Sequence, residues 1–153
     1  MKTSETPILV VDDEPLVLRF ICQCLRQEGY AVLEAASGAD AIELCRTNKG
    51  PISLGLFDVI MPGICGPDLK HSLEQLYPDL RVLYMSGLPE MEFNHEFNHH
   101  DMEHFIAKPF TCRALLARVR GMLTEDPEPG GHEMGECLPD SQVLCQHYVL
   151  GAR

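Results

Sequence analysis

Ile8-Leu9-Val10-Val11-Asp12-Asp13-Glu14-Pro15 decides how the chain is read: four consecutive apolar residues, three acids, then a proline. An unbroken apolar run without polar alternation is the pattern of a central parallel strand covered on both faces. Pro15 suits the first turn of a helix, where a missing N–H costs nothing. Leu16, Val17, Phe20, Ile21, Cys24 and Leu25 recur at three-to-four spacing, which predicts a helix with these six on its core face. Gly29 can end that helix in the left-handed conformation. The stretch is therefore one strand–helix unit, with its acids at the carboxyl end of the strand.

The same unit repeats outward along the chain. Further strands are expected over residues 31–35, 52–57, 81–85 and 105–107, the 52–57 strand ending at Asp58. Ser37, followed by Asp40, opens a second helix whose apolar face is Ala41, Ile42, Leu44 and Cys45. Met61-Pro62-Gly63 turns the chain after the third strand, and a third helix is expected over 67–76. Thr111 can cap a last helix with Leu115, Leu116, Val119 and Leu123 on its core face. Strands alternating with helices predict an α/β fold around a parallel sheet.

Composition excludes several classes. The 153 residues are 45% hydrophobic and 23% charged, the profile of a soluble globular domain. No apolar run approaches the ~20 residues that cross a bilayer, and the polar start has no signal-peptide core, so the expectation is cytoplasmic, without membrane contact. The net charge of −11 argues against nucleic acid as a partner. Removing the six acids and one arginine beyond residue 123 leaves 17 acids and 11 bases, so both parts are acidic. Seven cysteines, an odd number with no Cys-x-x-Cys pair, read as incidental thiols of a reducing compartment.

Ligands of an open parallel sheet sit outside the carboxyl ends of its strands. Asp12 and Asp13 follow the first strand, Asp58 ends the third, Ser86 follows the fourth and Lys108 the fifth. Right-handed crossovers bring all five to one edge. Crowded carboxylates repel, and a divalent cation relieves them; an all-oxygen site suits Mg²⁺ rather than zinc. One carboxylate is then free to attack phosphorus, while Lys108 and Ser86 meet the phosphoryl oxygens.

Val10-Val11-Asp12-Asp13-Glu14-Pro15, Leu56-Phe57-Asp58-Val59-Ile60-Met61-Pro62-Gly63, Tyr84-Met85-Ser86-Gly87 and Lys108-Pro109-Phe110 together resemble the receiver domain of two-component response regulators. Tyr84-Met85-Ser86-Gly87 also resembles receivers attached to hybrid sensor kinases. The resemblance divides the chain into a tail (1–6), a receiver domain (7–123) and an acidic Pro/Gly-rich linker and tail (124–153). It implies a flavodoxin-like doubly wound sheet in order 2-1-3-4-5 with five helices. Asp58 would accept a phosphoryl group from a sensor histidine kinase or histidine phosphotransfer protein. Mg²⁺ would be held by Asp13, Asp58 and the backbone carbonyl of Ile60, with Asp12 acting through water. Ser86 and Phe105 would form a switch pair, and the Lys108–Pro109 bond would be cis. The output partner would dock on the fourth helix, fifth strand and fifth helix.

Gly55 and Phe57 depart from the usual pattern. Ile60 and Leu88 stand where relatives tune hydrolysis of the phosphoaspartate; neither can orient water, so a long-lived phosphoryl group is expected. Beyond Leu123 nothing is long enough for a DNA-binding or enzymatic output domain, and the polar start favours a stand-alone protein. Residues 141–150 hold enough apolar side chains for one short element, expected as a mobile or loosely docked tail. A different class of reading comes from His95-Glu96-Phe97-Asn98-His99, which satisfies the letters of a zinc-peptidase motif, with His100 and His104 adding a second pair one turn apart. A solvated, pH-sensitive polar helix is the expectation there. A zinc module using His95, Glu96 and His99 is the alternative.

Overall fold

In the computed structural model, which describes residues 6–88 and 104–124, the first apolar run becomes β1 (Ile8–Val11), with all four side chains fully buried. It is flanked by β2 (Val32–Ala35) on one side and β3 (Leu54–Asp58) on the other. β4 (Val82–Ser86) and β5 (Phe105–Ala107) complete a five-stranded parallel sheet in the order β2-β1-β3-β4-β5. Four helices are present among the described residues: α1 (Pro15–Gln27), α2 (Gly38–Thr47), α3 (Gly66–Leu73) and α4 (Cys112–Thr124). The expected helix across the histidine-rich segment and the tail beyond residue 124 lie outside the described residues.

Alternate residues of each strand face opposite layers, and the two cores follow this two-residue period. Ile8, Val10, Leu54, Leu56, Leu83 and Met85 pack under α1 and α4. Leu9, Val11, Phe57, Val82 and Tyr84 pack on the other side with Ala41 and Cys45 of α2 and Leu69 and Leu73 of α3.

The helix signals hold where they rest on capping chemistry. The Ser37 hydroxyl accepts from the Asp40 backbone N–H at 3.1 Å, and the Thr111 hydroxyl accepts from that of Ala114 at 3.1 Å. Gly29 adopts φ of 89°, closing α1. Helix faces are rotated from the expectation. In α1 the buried residues are Ile21, Cys22, Cys24 and Leu25, whereas Leu16 is 82% exposed and Phe20 40%. Leu16 and Phe20 line the crevice at the carboxyl edge of the sheet instead, while Val17 and Leu18 of the same turns pack at the margin of the core. In α4 Met122 is buried and Leu123 only packs at the margin. α3 stops at Leu73 instead of running to residue 76, and Leu76 is left half exposed.

Gly55 and Phe57 explain each other. A Cβ at Gly55 would stand 2.8 Å from the Phe57 ring and 3.2 Å from Val82. The ring lies back along its own strand, over the space a side chain at 55 would occupy, so the aromatic residue requires the glycine two positions before it.

Candidate functional site

The register places the acids before any side-chain contact is considered. Val11 pairs with Phe57, so continuing one residue past the end of β1 brings Asp12 beside Asp58. Asp12 is fully buried and Asp58 is 5% exposed. β5 ends at Ala107, and the next residue, Lys108, extends its ammonium back between the two carboxylates. Lys108 Nζ donates to Asp12 Oδ2 at 2.7 Å and lies 3.3 Å from Asp58 Oδ2. By strand parity Asp12, Asp58 and Lys108 continue the faces of Val10, Leu56 and Ile106, all on the α1/α4 side.

The remaining oxygen of each buried acid is met by backbone. Asp12 Oδ1 accepts from the Glu14 N–H at 2.9 Å, and Asp58 Oδ1 from the Ile60 N–H at 3.3 Å. The first of these curls the acidic turn so that Glu14 Oε1 comes within 3.8 Å of the Lys108 ammonium. Oxygens of Asp12, Glu14 and Asp58 thereby lie within 4.8 Å of one another. Sequence reasoning passed over Glu14: it directly follows the acid pair, but the order of residues does not show that the turn made by Asp12 carries it back to the lysine. Asp13 is half-buried and lines the same crevice without belonging to that cluster.

The crevice has a volume of about 680 Å³. Its polar wall includes Asp13, Glu14, Asp58, Ser86 and Lys108; its apolar rim includes Leu16, Phe20, Ile60, Leu88 and Phe110. The rings of Phe20 and Phe110 stand 6.4 Å apart, joining α1 to the segment before α4. Ser86 is buried at the end of β4, and its hydroxyl accepts from the Leu88 N–H at 3.1 Å. Phe105 pairs in register with Tyr84 and packs on the α2/α3 side, the side that Ser86 also continues. The Lys108–Pro109 peptide bond is cis.

Burial raises the Asp58 carboxyl from its ordinary 3.8 to about 7; the neighbouring Asp12 carboxylate adds to this, and Lys108 and the Ile60 N–H oppose it. Burial pulls the Lys108 ammonium down, but Asp12 and Asp58 outweigh it, and its pKa ends above the ordinary lysine value. One ammonium faces four carboxyl groups, so the site carries an excess of negative charge. The donors are all oxygens, two of them deeply buried and two nearer the mouth, which fits a hard dication with room for water.

His95, Glu96 and His99, like the other histidines of 95–100, lie outside the described residues. His104, just before β5, is half-buried.

A family model described as response regulator receiver domain matches residues 8–120. Among curated proteins, the chain is 34% identical over 121 residues to the sensor kinase CckA of Brucella abortus, spanning 79% of this chain but 13% of the kinase. It is 30% identical over 116 residues to the response regulator receiver protein CpdR of the same organism, spanning 76% of this chain and 95% of that protein. Among solved structures, the receiver domain of the hybrid histidine kinase CckA is 35% identical with a TM-score of 0.63, covering 76% of this chain and 98% of that one. Strand order, acidic crevice and sequence agree: the chain belongs to the response-regulator receiver domain family.

Proposed function

We propose that this receiver, a phosphoacceptor of two-component signalling, takes its phosphoryl group on Asp58 and uses Lys108, Ser86 and the surrounding acids to manage the charge. The observation that carries the assignment is the Lys108 ammonium, from the end of β5, set between Asp12 and Asp58 at the ends of the adjacent strands β1 and β3. Asp58 is the buried carboxylate that both borders the open crevice and touches the lysine. Receiver domains interact with histidine kinases and phosphotransfer proteins. In the transfer, an Asp58 oxygen attacks phosphorus, the phosphorus–nitrogen bond to the donor imidazole breaks, and the imidazole leaves to pick up a proton. Lys108 then neutralises a phosphoryl oxygen, and the Ser86 hydroxyl turns from the Leu88 amide to donate to another.

Mg²⁺ would be held by Asp13, Asp58 and the backbone carbonyl of Ile60, with Asp12 behind them and Glu14 close enough to assist. Bound there, it supplies the positive charge that lets Asp58 ionise and that offsets the incoming phosphate. Ser86 and Phe105 form the switch pair, with the output surface including β5 and α4. Residues 7–123 act as the receiver in the cytoplasm and 124–153 as linker and tail. Among the described residues no helix is long and apolar enough to cross a membrane.

Full-length protein incubated with Mg²⁺ and acetyl phosphate should gain one phosphate by intact mass, and Asp58→Asn should abolish the gain. A gain that survives Asp58→Asn would overturn the assignment. The zinc alternative finds no support in the family match. Stoichiometric zinc in the purified protein, with Asp58 dispensable, would revive it.

A further inference from the structure

Charge is divided unevenly over this acidic chain. Of its 12 lysines and arginines, five arginines fall on two helices that carry no acid at all. They are Arg19 and Arg26 on α1 and Arg113, Arg118 and Arg120 on α4, all exposed. The two helices thus carry +5 and everything else −16, which together make the −11 of the whole chain. Both helices cover the same face of the sheet and touch each other. The Phe20 and Phe110 rings join them at one end, and Arg120 donates to Glu28 at the other. Arg19, Gln23, Arg26 and Gln27 surround a shallow depression of about 490 Å³ on the outside of α1. Arg113 and Arg120 stand two helical turns apart and so share one face of α4. Arg26 is met by Glu34 at 3.4 Å and Arg120 by Glu28, whereas Arg19 and Arg113 form no ion pair with any described residue.

From this uncompensated face we propose that the acidic segment 125–140 of the same chain folds back and docks along α1 and α4. The segment lies outside the described residues; its sequence holds Glu125, Asp126, Glu128, Glu133, Glu136 and Asp140 and no lysine or arginine. It starts where α4 ends, which keeps it near the arginines. Thr124 and Arg113 are separated by about 17 Å along the helix, at roughly 1.5 Å per residue. An extended chain spans about 3.3 Å per residue, so about six residues make the return. Pro127 and Pro129 cannot prolong the helix, and Gly130-Gly131 permits a reversal. Glu133, Glu136 and Asp140 then remain for the run back towards Arg113 and Arg19.

Exposed ion pairs are individually weak, and salt screens them. Tethering compensates, because a segment attached beside its site is present at on the order of millimolar concentration. The result is a reversible electrostatic latch that adds little to thermal stability. Arg19 adjoins Phe20, a rim residue of the acidic crevice, so the docked segment borders the mouth. A macromolecule approaching along this flank has to displace it. The docking does not depend on which residue accepts phosphate.

Full-length protein with Cys65, Cys112 and Cys145 replaced by Ser takes a nitroxide at Cys137, since Cys22, Cys24 and Cys45 are buried. At about 20 mM salt the label should broaden the amide signals of Arg19, Gln23, Arg113 and Ala117 about twofold or more relative to those of α2 and α3. At about 500 mM salt, or in Arg19→Glu/Arg113→Glu, that difference should vanish. A second comparison needs no cysteine change. Replacing the six acids by their amides in the full chain should shift the α1 and α4 signals at low salt and leave those of α2 and α3 in place. Shifts absent from α1 and α4 would overturn the proposal, as would broadening that survives both high salt and charge reversal. Equal broadening when label and isotope sit on different molecules would also overturn it, by assigning the face to a second copy. No broadening at low salt would do the same, by leaving the face to a separate acidic partner.

Discussion

Asp58 is charged at a cost, because its carboxylate is buried beside another. Its folded-state pKa of about 7 lies above the ordinary 3.8, so the folded protein holds a proton that the unfolded chain releases. Stability of the metal-free protein should therefore fall as pH rises from about 4 to about 7 and level off above. Asp58→Asn removes this penalty and should stabilise the metal-free protein at pH 7.5 by on the order of a few kcal/mol, with the gain shrinking toward pH 4 in urea titrations. The same proton competes with metal. Mg²⁺ affinity measured by calorimetry should weaken about tenfold for each pH unit below 7 and flatten above it. A flat profile from pH 5.5 to 8 would show that Asp58 is not among the ligands. Beside this acid, the side chains of the lining residues Ile60 and Leu88 are apolar. Ile60→Asn, which can hold a water, should shorten the phosphoryl lifetime several-fold as followed by intact mass; an unchanged lifetime would place the control elsewhere. Asp12, Asp58, Ser86 and Lys108 were legible from their order along the chain, since each stands at or just past a strand end. Glu14 was not, because its approach depends on the turn that the Asp12 side chain makes with the Glu14 amide.

Elements were legible to the extent that one-dimensional periodicity reflects a layer underneath. β1 and β5 match their apolar runs residue for residue, and both hydroxyl caps form. α1 shows where the inference breaks down: Leu16 and Phe20 keep the helical spacing of core residues yet sit over the crevice mouth. Periodicity identifies an apolar face and says nothing of what the face meets. β3 shows a second gap, since Gly55 reads as a weak point in a strand until the Phe57 ring is seen lying over it. Gly55→Ala should destabilise the protein by about 1–3 kcal/mol by overpacking. In a Phe57→Val background the same substitution should cost clearly less, and a double-mutant cycle from urea melts measures the difference. Equal costs in both backgrounds would mean that Val82, 3.2 Å from the added carbon, sets the limit instead.

At the scale of the molecule, the two cores together draw, among the described residues, on side chains from Ile8 to Met122, with Leu123 at the margin. Ending the chain after Thr124 should leave Tm within about 2 °C and leave phosphorylation by acetyl phosphate intact; a larger loss would show that the tail contributes to the fold. The division of the sheet also separates roles, with the acids and Lys108 continuing the α1/α4 face and Ser86 and Phe105 the other. The bridging of Asp12 and Asp58 by Lys108 has a consequence for the metal-free protein. The lysine acts as a resident counter-ion, so on the magnesium reading proposed above, depleting the ion would disarm the chemistry without dismantling the scaffold. A cell short of the ion would keep a standing stock of intact, idle receivers, ready to respond once the ion returns.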